Sequence, residues 1–255
     1  MNTSVADVGT LGWVDRTGGQ LSGAERRSLL GPLARTHAAN AAGRLSMLTG
    51  LNSGRRARVA PSLLVPPSSA LTRAAAEQAQ RRLTPALLHH SYRTYAFGAA
   101  LGALEGITVD AELLFAAALL HDTGLPTGDQ NVDFTRASAR IARDVAEEVG
   151  LSSAATATIR TAITLHLSPR VTPAHGPVAY LLAAGAGVDV AGLRSWQLPP
   201  DLLAAVVEHH PRHGFKGAFA TACRTEATRV PRGRVQFLRR YGAFDLAIKL
   251  APFRG

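Results

Sequence analysis

The chain has 255 residues, which suffices for one large domain or for one domain with an extension, and its 46% hydrophobic content supports a sizeable core. Its formal net charge of +10 comes from scattered arginines that are not interleaved with aromatic residues, which argues against nucleic acid as a partner. A single cysteine, no apolar run of ~18–20 residues and no basic start before an apolar run predict a cytoplasmic protein without a membrane partner.

Helical periodicity and helix-capping residues run along most of the chain, so the predicted fold class is all-α. Residues 1–20 are rich in Gly and Thr, and we expect them to be poorly ordered or only loosely packed on the protein surface. Ser22 and Glu25 form a capping-box pattern, which predicts a helix that ends near Leu45.

Residues 50–67 carry Gly, Pro and a cluster of charges, which is typical of a connector. Dense helical patterns follow from residue 68 onward. We therefore predict a partly helical N-terminal extension over residues 1–67 and a helical domain over residues 68–255. The predicted helices of that domain cover residues 70–83, a segment from Pro85, then 111–120, 135–150, 153–165, 177–187, 199–209 and 214–228.

Two apolar helices end in carboxylates. The helix over residues 111–120 leads into His121 and Asp122, and residues 178–188 lead into Asp189. An acid at a helix C-terminus meets the negative end of the helix dipole, which costs about 0.3–1 kcal/mol. A carboxylate that is also buried loses its hydration. A bound cation would compensate both effects.

Histidines supply further candidate ligands. Helical spacing puts His90, Arg93 and Phe97 on one face, and His166 lies at the end of another apolar helix. Imidazole and carboxylate ligands together suit Zn²⁺, Fe²⁺ or Mn²⁺. Any one of these histidines taken alone favours an ordinary histidine that is hydrogen-bonded in or near the core.

The motifs HHSYRTYAFG, FAAALLHDTG and GAGVDV occur in this order along the chain. They resemble the HD-domain superfamily of metal-dependent hydrolases. The amino-acid sequences of the motifs are most similar to its cyanamide-hydratase-like branch. The resemblance covers residues 68–225 and implies a helical core that binds one divalent metal ion. The ligands that it implies are His90, His121, Asp122 and Asp189.

The resemblance also bears on the number and kind of metal ions. Some members of the superfamily hold two ions with two further histidines on separate helices. Here His166 and His175 are nine residues apart across two prolines, which favours one ion and leaves a two-metal site as the alternative. The expected metal is Zn or Fe, with Mn as a further candidate.

Many relatives carry a Phe-Glu pair after the His-Asp doublet, whereas this chain has Phe134 and Thr135. The change weakens a phosphatase interpretation. The favoured activity is therefore hydrolysis or hydration of a small nitrile- or amide-like molecule. The alternatives are a phosphohydrolase acting on a nucleotide or phosphate ester, a di-iron oxygenase, and a non-catalytic metal-bearing scaffold that binds a ligand.

The expected partner is a small-molecule substrate, and a homo-oligomer is left open. Asp122 would orient the attacking water or accept its proton, and His166 would hydrogen-bond the developing negative charge. Arg93 would hold an anionic group or neutralise a structural carboxylate. The residues expected to contact substrate are Arg93, Trp196, Arg212 and Phe215.

Overall fold

The structure is a computed structural model that describes residues 8–254. Over these residues the chain forms twelve α-helices and no β-strand, which confirms the all-α prediction. None of these helices has both the length and the apolar character needed to cross a bilayer. The helices are α1 (Leu11–Thr17), α2 (Gly23–Leu48), α3 (Ala70–Arg82), α4 (Pro85–Glu105), α5 (Ala111–Leu120), α6 (Phe134–Glu148), α7 (Ser153–Leu165), α8 (Pro177–Ala191), α9 (Pro200–His209), α10 (Phe215–Arg229), α11 (Arg234–Tyr241) and α12 (Phe244–Lys249).

Helices α4 and α8 pack against each other at the centre of the molecule, and glycines permit the close approach. A Cβ atom on Gly185 would lie 2.1 Å from the carbonyl oxygen of Thr94, and one on Gly98 would lie 2.7 Å from that of Leu181. Larger side chains at these positions would push the two helices apart. The contact matters for function because α4 carries His90 and α8 carries Asp189.

Helix α5 runs through the core beside them. The Asp110 side chain caps its N-terminus by accepting hydrogen bonds from the amides of Glu112 and Leu113. All residues from Leu114 to Leu120 are buried, as the apolar pattern predicts for a helix without a polar face. The helix therefore delivers the residues that follow it, His121 onward, to the interior of the protein.

The N-terminal segment differs from the prediction. Residues 1–7 lie outside the described residues. Residues 8–20 include α1 and are not loosely packed on the surface. Trp13 is fully buried and its indole N–H donates to the Glu25 carboxylate at 2.7 Å. Trp13 supplies a large apolar surface, and burying it anchors the segment despite the many glycines. It packs with Val8, Val14, Leu21, Leu29, Leu33 and Phe237.

Helix α2 begins at the predicted capping box and lies against the end of α8. Gly43 faces Trp196 so closely that a Cβ atom there would lie 2.1 Å from the indole ring. The Arg44 guanidinium donates to the carbonyls of Ala191 and Leu250, at 2.9 and 2.8 Å. These contacts fix the C-terminal half of α2 against the helical domain.

Helices α3 to α10 occupy the segments predicted for them, with one consequential difference. Helix α8 continues to Ala191, past the predicted end near Gly187, so Asp189 lies inside its last turn. Helices α11 and α12 were not predicted. Gly192 ends α8 in a left-handed conformation with φ of 67°, which accounts for the actual end of the helix.

Candidate metal centre

His90, His121 and Asp122 come together in the core, where each is about 1% exposed. Helix α4 carries His90, and the turn after α5 carries the other two. The Nε2 atoms of the two histidines lie 3.3 Å apart, and they lie 3.7 Å (His90) and 3.3 Å (His121) from Asp122 Oδ2. One ligand atom from each of the three residues lies within 4.8 Å of the others, a spacing that suits a single metal ion.

The hydrogen bonds around the two imidazoles turn their lone pairs toward each other. His90 Nδ1 donates to Asp189 Oδ2 at 2.7 Å, and His121 Nδ1 donates to the carbonyl of Ala118 at 2.7 Å. A neutral imidazole has one N–H group, so these bonds leave a lone pair on each Nε2. Metal-binding histidines are commonly oriented in this way by an acceptor on the far side of the ring.

The carboxylate of Asp122 is the clearest sign that a cation belongs here. Its Oδ2 atom is buried and accepts no hydrogen bond from any residue between 8 and 254. Burial alone would raise the pKa of Asp122, but the neighbouring His121, with His90 and His166, holds that pKa well below its usual range. An ionised, unsatisfied oxygen beside two imidazole lone pairs fits a divalent cation such as Zn²⁺ or Fe²⁺.

Burial by itself would lower the pKa of His121, yet the Asp122 carboxylate raises it above the ordinary value. The carboxylate therefore attracts positive charge to this point, whether as a proton on the imidazole or as a metal ion. Because metal binding requires the neutral imidazole, a bound ion and this proton would exclude each other.

Asp189 lies behind this cluster. Its carboxylate accepts hydrogen bonds from His90 Nδ1 and from two buried guanidiniums, those of Arg93 and Arg212. Burial would raise the pKa of Asp189, but the hydrogen bond from His90 and the charge of Arg93 hold it well below its usual range. The cations that compensate this carboxylate are thus arginines, and its expected role as a direct metal ligand stays a prediction.

The other two histidines considered as ligands are placed differently from each other. His166 lies next to the cluster, with Nε2 3.8 Å from Asp122 Oδ1, and its Nδ1 donates to the carbonyl of Ile163 at 2.6 Å. Burial, with the adjacent His121, lowers the pKa of His166 to about 3. His175 is half-buried, and its ring hydrogen-bonds Thr172 instead. The ligand set of a two-metal site is therefore not assembled among residues 8–254.

A cavity of about 360 Å³ opens from the cluster toward α2. His90, His121, Asp122 and His166 contribute to its wall at one end. Most of the remaining wall is apolar and comes from the ends of α7 and α8, from α12 and from α2. Its apolar lining includes Leu33, Val171, Ala183, Ala186, Val190, Leu193, Phe219, Phe244 and Ala247.

The residues expected to contact substrate divide into two groups. Trp196 lines the cavity. Arg93 and Arg212 are bound to Asp189, and Phe215 lies between them and His90, with ring centroids 5.0 Å apart in the His90–Phe215 stack. None of these three residues lines the cavity, so the geometry gives them a part in fixing His90 and Asp189 rather than in touching substrate.

The sequence reasoning missed the part of the wall that α2 supplies. Thr36, His37 and Asn40 line the cavity from this helix, opposite the core of the protein. The available signal was local and weak, because these polar residues interrupt an Ala-rich stretch, RTHAANAA. Only the tertiary packing of α2 makes them part of the site.

Comparison with known proteins agrees with this geometry. The family model for the HD domain matches residues 87–218, a range that includes all four residues of the motif from His90 to Asp189. The chain belongs to the HD domain family. The chain is also 27% identical over 196 residues to two proteins of Saccharomyces cerevisiae, cyanamide hydratase DDI2 and cyanamide hydratase DDI3. Each match covers 74% of this chain and 84% of the relative.

These findings confirm the resemblance to the cyanamide-hydratase-like branch. HD domains bind divalent metal ions, and the cluster of His90, His121 and Asp122 in this HD domain has the residue types and spacing to hold one. The coarse activity that follows is that of a metal-dependent HD hydrolase or hydratase acting on a small molecule.

Proposed function

We propose that this HD domain uses one divalent metal ion to add water to an uncharged nitrile- or amide-like molecule. The observation that carries the proposal is the combination of a metal-capable cluster with an apolar cavity. The only Arg or Lys in that lining, among residues 8–254, is Arg194. Its guanidinium already binds the Glu105 carboxylate, the Gln197 amide oxygen and the Tyr180 hydroxyl.

The same observation disfavours a phosphohydrolase. A phosphate ester needs cations or several free N–H donors to replace the water around its charge. The two arginines nearest the cluster, Arg93 and Arg212, are committed to Asp189. Thr135, which stands where many relatives have Glu, is buried and bound to Asp133 and Arg234. It does not line the cavity.

We propose His90, His121 and Asp122 as the residues that hold the metal ion. A divalent metal held by these residues would supply a Lewis acid that lowers the pKa of water toward about 7. Asp189 would fix the tautomer and direction of His90 through the hydrogen bond to Nδ1. Zn and Fe both suit this ligand set.

Asp122 and His166 would orient the attacking water. His166 Nδ1–H donates a hydrogen bond to the Ile163 carbonyl, so Nε2 of the neutral ring accepts hydrogen bonds and does not donate them. We therefore assign His166 the role of accepting a hydrogen bond from water, in place of the expected donation to a developing negative charge. In the overall reaction, the water oxygen bonds to the nitrile carbon. Both water protons end on the nitrile nitrogen, so a nitrile becomes a carboxamide.

The test compares two substrate panels on zinc-loaded and iron-loaded protein. The first panel holds cyanamide, alkyl and aryl nitriles and carboxamides, and the second holds nucleoside monophosphates and cyclic nucleotides. We expect turnover only in the first panel, and its loss in His121→Ala. Turnover confined to the nucleotides would refute the proposal. His175→Ala serves as the matched histidine control because His175 lies outside the cluster and does not line the cavity.

A further inference from the structure

The cavity is larger than a small nitrile requires. Its volume of about 360 Å³ lies in the range of ~300–1,000 Å³ that is typical of pockets enclosing drug-sized ligands. Cyanamide, which is a nitrile bearing one amino group, would occupy the end next to the metal ligands and leave the apolar remainder filled only with water. Apolar walls favour the exchange of such water for an apolar group.

Helix α2 forms the part of the wall that gives the cavity its length. Leu33, Thr36 and Asn40 are spaced i, i+3 and i+7, so they follow one another along the same face of the helix. At 1.5 Å per residue this face runs about 10 Å. The helix is held in position at both ends, by the Trp13–Glu25 hydrogen bond and by Arg44 on Ala191 and Leu250.

Asn40 carries an unused polar atom in this wall. Its Oδ1 atom is buried and has no hydrogen-bond partner between residues 8 and 254. A buried oxygen of this kind is unfavourable unless a ligand or water satisfies it. Thr36, by contrast, donates its hydroxyl to the carbonyl of Pro32. Asn40 therefore holds a buried acceptor on this face that an N–H group of a ligand can satisfy.

We propose that the substrate is a nitrile or carboxamide with a bulky, uncharged and largely apolar group, and that this group carries one N–H donor, which Asn40 binds. The proposal rests on the proposed hydratase function for the identity of the reacting group. The size of the substrate and the role of Asn40 rest on the cavity alone.

The experiment measures kcat and KM of the zinc-loaded protein for cyanamide, benzonitrile and para-aminobenzonitrile, together with their affinities by calorimetry. We expect kcat/KM for benzonitrile to exceed that for cyanamide by at least about tenfold, and the para-amino compound to exceed benzonitrile. In Asn40→Leu the advantage of the para-amino compound disappears through a higher KM. Arg35→Ala, which changes an exposed residue of the same helix outside the cavity, keeps the wild-type values.

A second variant tests the size of the substrate independently of Asn40. Ala183 lines the cavity, and Ala183→Phe fills part of it, so the preference for benzonitrile over cyanamide should fall by about tenfold or more. Circular dichroism checks that each variant is folded.

The outcomes separate the two proposals. If no nitrile or amide is turned over, the hydratase proposal fails, and calorimetry alone decides the present one. Tighter binding of benzonitrile than of cyanamide, weakened by Ala183→Phe, then supports a bulky apolar ligand. Equal or weaker binding of benzonitrile, or an Asn40→Leu variant that keeps the para-amino preference, overturns the inference.

Discussion

The histidines of the site share one arrangement at the level of single residues. In His90, His121 and His166, the Nδ1 atom donates to an acceptor on the far side of the ring, so in the neutral imidazole the lone pair is on Nε2. The acceptors are a carboxylate for His90 and main-chain carbonyls for the other two. The site is thus prepared for a cation by hydrogen bonds that are already in place.

The role of Asp189 can be tested through metal affinity. If it acts by orienting His90, Asp189→Asn should weaken zinc binding by about 10- to 100-fold without abolishing it. The measurement is a zinc titration against a competing chelator. Asp201→Asn changes an exposed aspartate at the start of α9 and should leave the affinity unaltered. Complete loss of zinc from folded Asp189→Asn would show that Asp189 is itself a ligand, as the family resemblance implies.

At the level of elements, the contact between α4 and α8 positions the two sides of the His90–Asp189 hydrogen bond. Gly98 and Gly185 bring the backbones together because neither has a side chain. A displacement of either helix would move His90 relative to Asp189. The site therefore depends on helix packing that involves no ligand atom.

Gly185→Ala should expose this dependence. The new Cβ atom would lie 2.1 Å from the carbonyl oxygen of Thr94, and such overpacking lowers the free energy of unfolding by about 1–3 kcal/mol. Urea denaturation measures the change. Gly217→Ala is the matched control, since a Cβ there meets nothing within 4 Å and should raise the stability of α10 by up to about 1 kcal/mol. Equal effects of the two substitutions would contradict the packing argument.

At the scale of the whole molecule, the site joins elements that are distant in the chain. Helix α4 and the turns after α5 and α7 supply the polar end of the cavity, α8 supplies apolar wall, and α2 closes the far side. The division at residue 67 between an extension and a helical domain stays a prediction. Functionally, α2 belongs with the helices that it covers.

A metal ion held by these elements should stabilise the fold as a whole. At a free metal concentration 100 times its Kd, binding to the folded state alone adds about 2.7 kcal/mol. Chelation should therefore lower the melting temperature of the zinc-loaded protein, as calorimetry can measure. His121→Ala should melt at the same temperature with and without zinc, while His175→Ala should retain the shift. An unchanged melting temperature of the wild type after chelation would rule out a metal ion in this role.

The amino-acid sequence by itself determined the features that depend on neighbouring residues. Helices α3 to α10 follow from periodicity and from caps such as Asp110 and Ser152, whose hydrogen bonds form within a single turn. The His121-Asp122 doublet was identifiable because a buried helix leads directly into it. The HD family membership followed from the order of short motifs.

Only the tertiary structure decided which residues from other helices contact those motifs. Trp13 anchors α1 through a partner twelve residues away, and Asp189 is compensated by Arg93 and Arg212 from two other parts of the chain. Asn40 enters the cavity only because α2 packs against Trp196 and the end of α8. Periodicity and capping report contacts within one helix. Charge compensation and cavity shape arise from contacts between helices, which no local pattern encodes.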